Sequence, residues 1–492
     1  MKTHFEIPGE VKNVMEQLEE RGYEAYLIGG CVRDLFLEKE PKDWDVTTNA
    51  TPEEIQGISP DSFYENDFGT VGVKTESEDE RLKVIEVTPY RVEGEYSNNR
   101  HPDKVEFSKD IKDDLKRRDF TINAIAFRET NKGESEIVDL FEGIKDLQKG
   151  IIRTVGNPKD RFNEDGLRIL RAVRLATQLR FQIEEETEKA VFESRGLLKN
   201  ISAERIRDEI SKIIATDEPM RGFELLKKLG LLPYTIPELE EGINCGQNQA
   251  HSFDVFEHLL RSLQHAADKK YPFEIRLAAL LHDIGKPATK RIPADKKEPT
   301  FYGHEVVGAR MTKKILERLK FSRETIEKVT KLVRWHMFFS DTETITLSAV
   351  RRMIANVGQD SIWDLMNVRI CDRIGTGRPK ESPYRLRKYH SMIEEALRDP
   401  VSVSQLKIDG NDLMNEGEVT PGPAMGHILH ALLEEVLDDP KKNNKEYLLN
   451  RVKVLKDLPL NELKELGEKG KEKKEELEAE EIKKIRESHN VK

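Results

Sequence analysis

The spacing of apolar residues changes about a third of the way along the chain. Before residue 150, short apolar runs alternate with amphipathic ones. Val11–Arg21 has the 3.6-residue spacing of a helix, Ala25–Ile28 reads as a strand, Val32–Glu38 as a helix and Trp44–Thr47 as a strand. Thr51 followed by Pro52, Glu53 and Glu54 predicts an N-capped helix start, with acids placed to suit the helix dipole. "GTVGVKTESEDERLKVIEVTPYR" predicts two strands around a charged turn near Ser77–Glu80. The polar Gly/Asn/Pro segment Glu93–Pro102 predicts a loop.

From about Gly156 the pattern is helical, with breaks in "EEGINCGQNQA" and "IGTGRPKESPYR". The last stretch, Leu460–Lys492, is nearly all Glu, Lys and Leu and reads as an exposed helix or frayed tail. No internal repeat is visible. The fold class expected is therefore an α/β (α+β) head followed by all-helical parts. A length of 492 residues suits roughly three domains.

A net charge of −11 argues against nucleic acid covering the whole surface but leaves room for a local basic groove. The three cysteines, Cys31, Cys245 and Cys371, form no C-x-x-C pair, which argues against a disulfide framework or a cysteine zinc site. Reduced cytosol is the expected compartment. No apolar run is long enough to span a bilayer, and the first thirty residues lack a signal-peptide core.

Chemistry concentrates first in "YLIGGCVRDLFLEKEPKDWDVTT", Tyr26 to Thr48. If Asp43 and Asp45 share a strand, they point one way while Trp44 and Val46 point the other. Two close carboxylates repel unless a cation sits between them. Oxygen ligands favour Mg²⁺, which suits in-line displacement at phosphorus. Gly29 and Gly30 let backbone amides approach phosphate oxygens at a helix start. Arg33, in the first helical turn, opposes the helix dipole and is less odd facing a triphosphate.

Taken together, GG-x-V-R-D followed by D-x-D resembles the polymerase-β-type nucleotidyltransferase superfamily. More narrowly, it resembles the class II CCA-adding tRNA nucleotidyltransferases and poly(A) polymerases. "LKRRDFTINAIAF" resembles that family's second motif, which implies that Arg117, Arg118 and Asp119 sit by the ribose and phosphates. "DLFEGIKDL" resembles the third, with Asp139 structural rather than catalytic. "EDGLRILRAVRLA", Glu164 to Ala176, reads as one helix with Ile169, Leu170, Val173 and Ala176 on the apolar arc. Asp165, Arg168, Arg171 and Arg174 ladder round the other side. The resemblance implies that Asp165 and Arg168 pair with the incoming base and select C and A without a nucleic-acid template. A carboxylate accepts from an exocyclic amine, and a guanidinium donates to a ring nitrogen or carbonyl. Gly30, Arg33, Arg118, Arg171 and Arg174 would grip ribose and phosphates. Glu86, on a strand expected to neighbour that of the D-x-D pair, is the candidate third carboxylate, as base or extra metal ligand. "ISAERIRDEISKII" resembles a neck support helix.

A second constellation follows. His258, His282, Asp283, His304, His336 and Asp372 occur in the order H…HD…H…H…D, hard to obtain by chance. It resembles the HD phosphohydrolase family with its full ligand set. Imidazole with carboxylate suits Ni, Mn, Co, Fe or Zn over Mg, and bound water would attack phosphorus. Lys286 could hold a phosphate oxygen. Relatives bearing this domain include enzymes that hydrolyse cyclic phosphates.

The expected domains are a nucleotidyltransferase head (1–148), a helical neck (149–245), an HD domain (246–378), a helical tail domain (379–460) and a charged tail (461–492). The expected activity is addition of CCA to tRNA 3′ ends from CTP and ATP, with Mg²⁺ at Asp43 and Asp45. A-adding and poly(A)-adding enzymes are the near alternatives, and an HD hydrolase or RNA-binding protein with an inactive head is the distant one. Segment Glu93–Pro102 fits a flexible loop that CC-only relatives tend to lack, and "TINAIAF" looks nearer the CCA-adding type. The expected partners are tRNA, CTP and ATP, with no membrane; the sequence fixes no oligomeric state.

Overall fold

The computed structural model describes residues 5–65, 69–93, 105–129, 134–247, 252–293, 298–337 and 345–467. Chain contacts divide it into two units. One holds Met1–Gly246, Asp254–Arg276 and Lys313–Ile326; the other holds Gln247–Phe253, Leu277–Thr312 and Glu327–Lys492.

The first unit opens with the helix Gly9–Glu20, which buries Val11, Val14, Met15 and Leu18, the positions its helical spacing selects. Among the described residues of the head, nine strands follow: β1 (Ala25–Ile28), β2 (Asp45–Thr48), β3 (Ser62–Tyr64), β4 (Val71–Lys74), β5 (Val84–Pro89), β6 (Arg91–Glu93), β7 (Val105–Phe107), β8 (Ile125–Glu129) and β9 (Ser135–Asp139). Seven form one sheet in the order β3-β4-β5-β2-β1-β8-β9, while β6 and β7 pair separately. Only β2 and β5 run parallel within the large sheet; its other pairs are antiparallel. All four residues of β1 are buried, as a central strand covered on both faces requires. Thr51 caps the helix Pro52–Ile58 in a reciprocal capping box with Glu54, as its sequence predicts.

Two differences from the sequence reading bear on the site. Strand β2 starts at Asp45, so Asp43 lies outside it in an exposed bend while Trp44 and Val46 are buried. The stretch Glu164–Ala176 is not one helix. Pro158–Glu164 ends, Asp165 is extended (φ −139°, ψ 105°), and a new helix, Arg168–Leu179, begins. The Asp165 carboxylate accepts from the Leu167 amide at 3.0 Å, a local bond that competes with helix continuation. The apolar arc Ile169, Leu170, Val173 and Ala176 is fully buried as expected. The helix Ala203–Ile214 packs against the same part of the unit.

The second unit is helical, including Leu347–Val357, Ile362–Gly375, Tyr384–Ala396, Pro423–Asp438 and Lys445–Leu455. Buried Arg351 donates to the Leu437 carbonyl at 2.7 Å and to Asp399 at 2.9 Å, and so ties distant helices together. Of the expected loop Glu93–Pro102, residues from 94 onward lie outside the described residues, as does the tail beyond 467. Among the described residues, no helix is long and apolar enough to cross a membrane.

Candidate active site and metal centre

In the head, the β2–β5 register sets the site. Asp45 is the Cα partner of Glu86 on the neighbouring parallel strand, so both side chains leave the sheet on one face. Burial, with Asp43 adding to it and Arg118 and Arg33 opposing, pushes Asp45 up to about 6. Burial and the Asp45, Glu65 and Asp43 charges push Glu86 up to about 7. This is a cluster of negative charge that a cation would relieve.

The Gly29 turn borders it. Gly29 has φ +79°, and a Cβ there would lie 3.2 Å from Arg118 Nη1 and 3.4 Å from Asp45 Oδ2. The backbone thus favours glycine, and an added methyl would press on the Arg118 guanidinium. At Gly30 a Cβ would meet Arg33 Nη2 at 3.6 Å. Buried Arg33 is fixed by Asp34 (2.8 Å) and by Asn123 Oδ1 (3.0 Å). Arg118 donates twice to Asp114, at 3.0 and 3.2 Å, and Arg117 pairs with the same fully buried carboxylate. Asp114 therefore anchors two arginines, a role the sequence did not reveal because Asp114 lies just outside the motif residues.

Around the neck, Arg171 donates to Asp119 Oδ2 at 2.7 Å, and Asp119 also accepts from the Phe120 amide. Burial pushes the Asp119 carboxyl up, but the Arg171 and Arg168 guanidiniums and these hydrogen bonds hold it well below the usual range. Arg174 donates to buried Glu209 at 2.7 Å. Arg168 is itself buried, bonded to Glu164 at 2.6 Å and to the carbonyl of Arg117 at 3.1 Å. Asp165 accepts both terminal nitrogens of Arg205, at 2.7 and 3.2 Å. Arg205 escaped the sequence reading because its helix looked like packing support; the acid–base spacing that betrays it spans 40 residues. Asp139 accepts from the amides of Gly143 and Ile144 at 2.7 and 3.0 Å, the structural role expected of it.

Among the described residues, groups of three or more candidate ligands within 4.8 Å of one another occur in the HD constellation and not among the head carboxylates. Asp45 and Glu86 leave the sheet on one face and both feel the Asp43 charge, an all-oxygen donor set of the kind a hard divalent cation takes.

In the second unit, Asp283, His304 and His336 converge, and His282 and Asp372 lie beside Asp283. Asp283 Oδ1 is 3.1 Å from His304 Nε2 and 3.5 Å from His336 Nε2. Asp283 Oδ2 is 3.3 Å from His282 Nε2, which is 3.6 Å from Asp372 Oδ1. Each ring is oriented by its other nitrogen. Nδ1 of His282, His304 and His336 donates to the carbonyls of Ala279, Phe301 and Val333 at 2.8, 2.8 and 2.7 Å. At His304 and His336 that tautomer aims the Nε2 lone pair into the cluster, the outer-shell arrangement of metal-ligating histidines. Burial disfavours charge on both rings; Asp283 and Asp372 override it at His282, raised to about 10, while His336 is lowered to about 4.

A Cβ on Gly285 would lie 2.4 Å from His304 O, so only glycine lets this backbone bring His304 beside Asp283. Lys286 is buried, with Nζ 2.6 Å from Asp283 Oδ2 and 2.6 Å from Gln247 Oε1. His258 is fully buried on the helix Val255–Asp268, in the first unit.

Three family models match in sequence: a poly A polymerase head domain over residues 25–153, a probable RNA and SrmB-binding site of polymerase A over 180–243, and an HD domain over 250–374. This is the class of a nucleotidyltransferase head joined to an RNA-binding neck and an HD domain. The CCA-adding enzyme of Limosilactobacillus reuteri is 33% identical over 449 residues, covering 89% of this chain and 94% of that relative. The A-adding tRNA nucleotidyltransferase of Deinococcus radiodurans is 32% identical over 420 residues, covering 83% and 91%. The Bacillus stearothermophilus CCA-adding enzyme in complex with CTP superposes with a TM-score of 0.65 at 25% identity, covering 91% and 97%. The chain belongs to the class II CCA-adding enzyme family with a C-terminal HD domain.

Proposed function

We propose that this protein adds C, C and A in turn to the 3′ end of tRNA, taking CTP and ATP and no nucleic-acid template. The observation that carries this reading is the Asp45–Glu86 pair facing the Gly29 turn and Arg118. Asp43 and Asp45 would hold Mg²⁺, which supplies charge neutralisation at the phosphates and acidifies the attacking hydroxyl when bound. The tRNA 3′-oxygen attacks the α-phosphorus, and the bond to pyrophosphate breaks. Glu86, pushed up to about 7, is suited to take the hydroxyl proton. Gly30 leaves room for phosphates at the turn. Arg33, Arg118, Arg171 and Arg174 supply positive charge along the triphosphate and ribose. Asp165 accepts from the exocyclic amine of C or A, and Arg168 donates to the ring. Such a tRNA-directed enzyme works in the cytoplasm.

The HD cluster supports a second activity, phosphate-ester hydrolysis at RNA ends with Ni, Mn, Co, Fe or Zn. Three histidines with Nδ1 tied to carbonyls favour that reading over a plain packed core. His258 is retained in the ligand set on the family resemblance.

Purified protein with Mg²⁺ and tRNAs ending at the discriminator base, at C and at CC tests the main reading when each NTP is supplied singly, then CTP with ATP, and the ends are sequenced. Strict stopping after CCA is expected. Extension of the CC end alone would make this an A-adding enzyme, and long A tails a poly(A) polymerase.

A further inference from the structure

Within a chain of net charge −11, residues 369–388 carry seven Lys or Arg side chains against two acids, Asp372 and Glu381. Part of that charge holds the segment in shape. Arg369 bonds to Asp372, Arg373 donates to the Lys380 carbonyl at 2.7 Å, and Arg387 to the Ser382 carbonyl at 2.7 Å. Among the described residues, Arg378, Lys380, Arg385 and Lys388 form no ion pair with a carboxylate. Arg378, Lys380 and Arg385 are exposed.

Between them stands Tyr384, 68% exposed, at the start of the helix Tyr384–Ala396. The same helix buries Leu386, Tyr389 and Ile393, so its packing does not call for an aromatic ring at Tyr384. The segment is also fixed in place. The Ser252 amide donates to the Thr376 carbonyl at 3.3 Å, and Gly377, with φ +90°, lies where a Cβ would meet Ser252 Oγ at 3.1 Å. It leaves the helix Ile362–Gly375 three residues after Asp372, a member of the histidine–aspartate cluster.

An exposed ring among unneutralised cations has the chemistry of a single-stranded nucleic-acid platform: phosphates meet the charges and a base stacks on the ring. A bilayer would call for a broad apolar stripe, which one tyrosine does not make. We propose that residues 377–388 dock the single-stranded 3′ end of an RNA and deliver its terminal phosphate to the Asp283 cluster. The delivery step rests on reading that cluster as a phosphohydrolase centre.

The test uses the full chain and a 5′-labelled single-stranded RNA with a free 3′-phosphate, followed by fluorescence anisotropy across a salt series. Replacing Arg378, Lys380, Arg385 and Lys388 together by Ala should weaken binding tenfold or more. It should also lower the salt slope, by about 0.7 for each phosphate that the variant no longer neutralises. Tyr384→Ala should cost at least about fivefold on the single strand and little on a duplex. The charge-preserving pair Arg378→Lys with Arg385→Lys should bind like the parent and so controls for folding.

Parent-like affinity and slope in the quadruple Ala variant would overturn the proposal. So would tighter binding of the parent to phosphatidylserine vesicles than to RNA, abolished in that variant. With Mn²⁺ or Ni²⁺, the variant's KM should rise for RNA ending in a 2′,3′-cyclic phosphate and stay unchanged for bis(p-nitrophenyl) phosphate. Hydrolysis of neither by the parent would overturn the phosphohydrolase reading and the delivery step, while the anisotropy still decides the docking surface.

Discussion

Asp45 and Glu86 are register partners on adjacent parallel strands, and their carboxyls are pushed up to about 6 and about 7. Between the ordinary carboxylate range and those values, the folded protein keeps protons that the unfolded chain has released. Stability contributed there is present at low pH and is lost as pH rises through about 6 to 7. Without divalent ions, the melting temperature of the parent relative to Asp45→Asn should therefore fall from about pH 5 to about pH 8. Mg²⁺ should reverse the fall by favouring the ionised pair. The same variant should lose nucleotide transfer on the order of a thousandfold, several kcal/mol of charge stabilisation. A difference profile that stays flat would remove the coupled-carboxylate picture.

Gly29 makes a sharper geometric prediction. Alanine would have to adopt φ +79° with its methyl about where Arg118 and Asp45 approach. With ψ −132° this is a region that residues other than glycine rarely enter, at a backbone cost of roughly 1–3 kcal/mol. The larger effect should fall on catalysis, since displacing Arg118 or Asp45 disturbs the reacting geometry. Gly29→Ala should lower kcat by about a hundredfold while the protein still melts cooperatively. Near-parent turnover would show that the turn does not border the reacting phosphates.

Arg205 holds both oxygens of Asp165, so the proposed base-reading carboxylate is oriented from the neighbouring helix. Asp165→Ala or Arg168→Ala should blur the choice of C and A against U and G while leaving some transfer. Arg205→Ala should blur it less, by about tenfold, the scale of one oriented charge-assisted contact. Misincorporation measured with each NTP on a tRNA ending at the discriminator checks this. Unchanged fidelity in Asp165→Ala would mean that the protein does not template the base.

The head was legible because its signals are local: the cap at Thr51, the apolar β1 run and the glycine turn are each written within a few residues. The HD residues were legible as a set of types in order. Less accessible was anything made by partners far apart in sequence. The Glu86 strand was expected beside the Asp45 strand and lies there, but the match of Asp45 with Glu86 is a register, which depends on pairing that spacing does not encode. The break at Asp165 was hidden because its apolar neighbours keep helical spacing across it, while the local Asp165–Leu167 bond ends the helix. Asp114 lies just before its motif and Arg205 in a helix that reads as support, so neither stands out until their guanidinium and carboxylate partners are in place.

The HD cluster yields a prediction that separates a metal centre from a packed core. Nε2 of His304 and of His336 is buried without a hydrogen-bond partner, although each lies within 3.5 Å of Asp283 Oδ1. With Nδ1 donating to a carbonyl, a neutral ring turns a lone pair toward a carboxylate oxygen, acceptor against acceptor. That arrangement is costly unless a proton or a cation lies between. Lys286 supplies one positive charge to Asp283 at Oδ2, whereas His304 and His336 approach Oδ1. A divalent ion bound only by the folded chain should raise stability by about 4 kcal/mol at a thousand times its Kd. Titrating the apo protein with Mn²⁺, Co²⁺, Ni²⁺ or Zn²⁺ should therefore raise the melting temperature of the parent and of Asp45→Asn alike. Asp283→Asn and His336→Ala should lose that gain and bind the ion at least about tenfold more weakly by calorimetry. If none of these ions stabilises the parent, the histidines are a packed core whose Nε2 atoms the fold leaves unpaired, and the hydrolase reading fails with them.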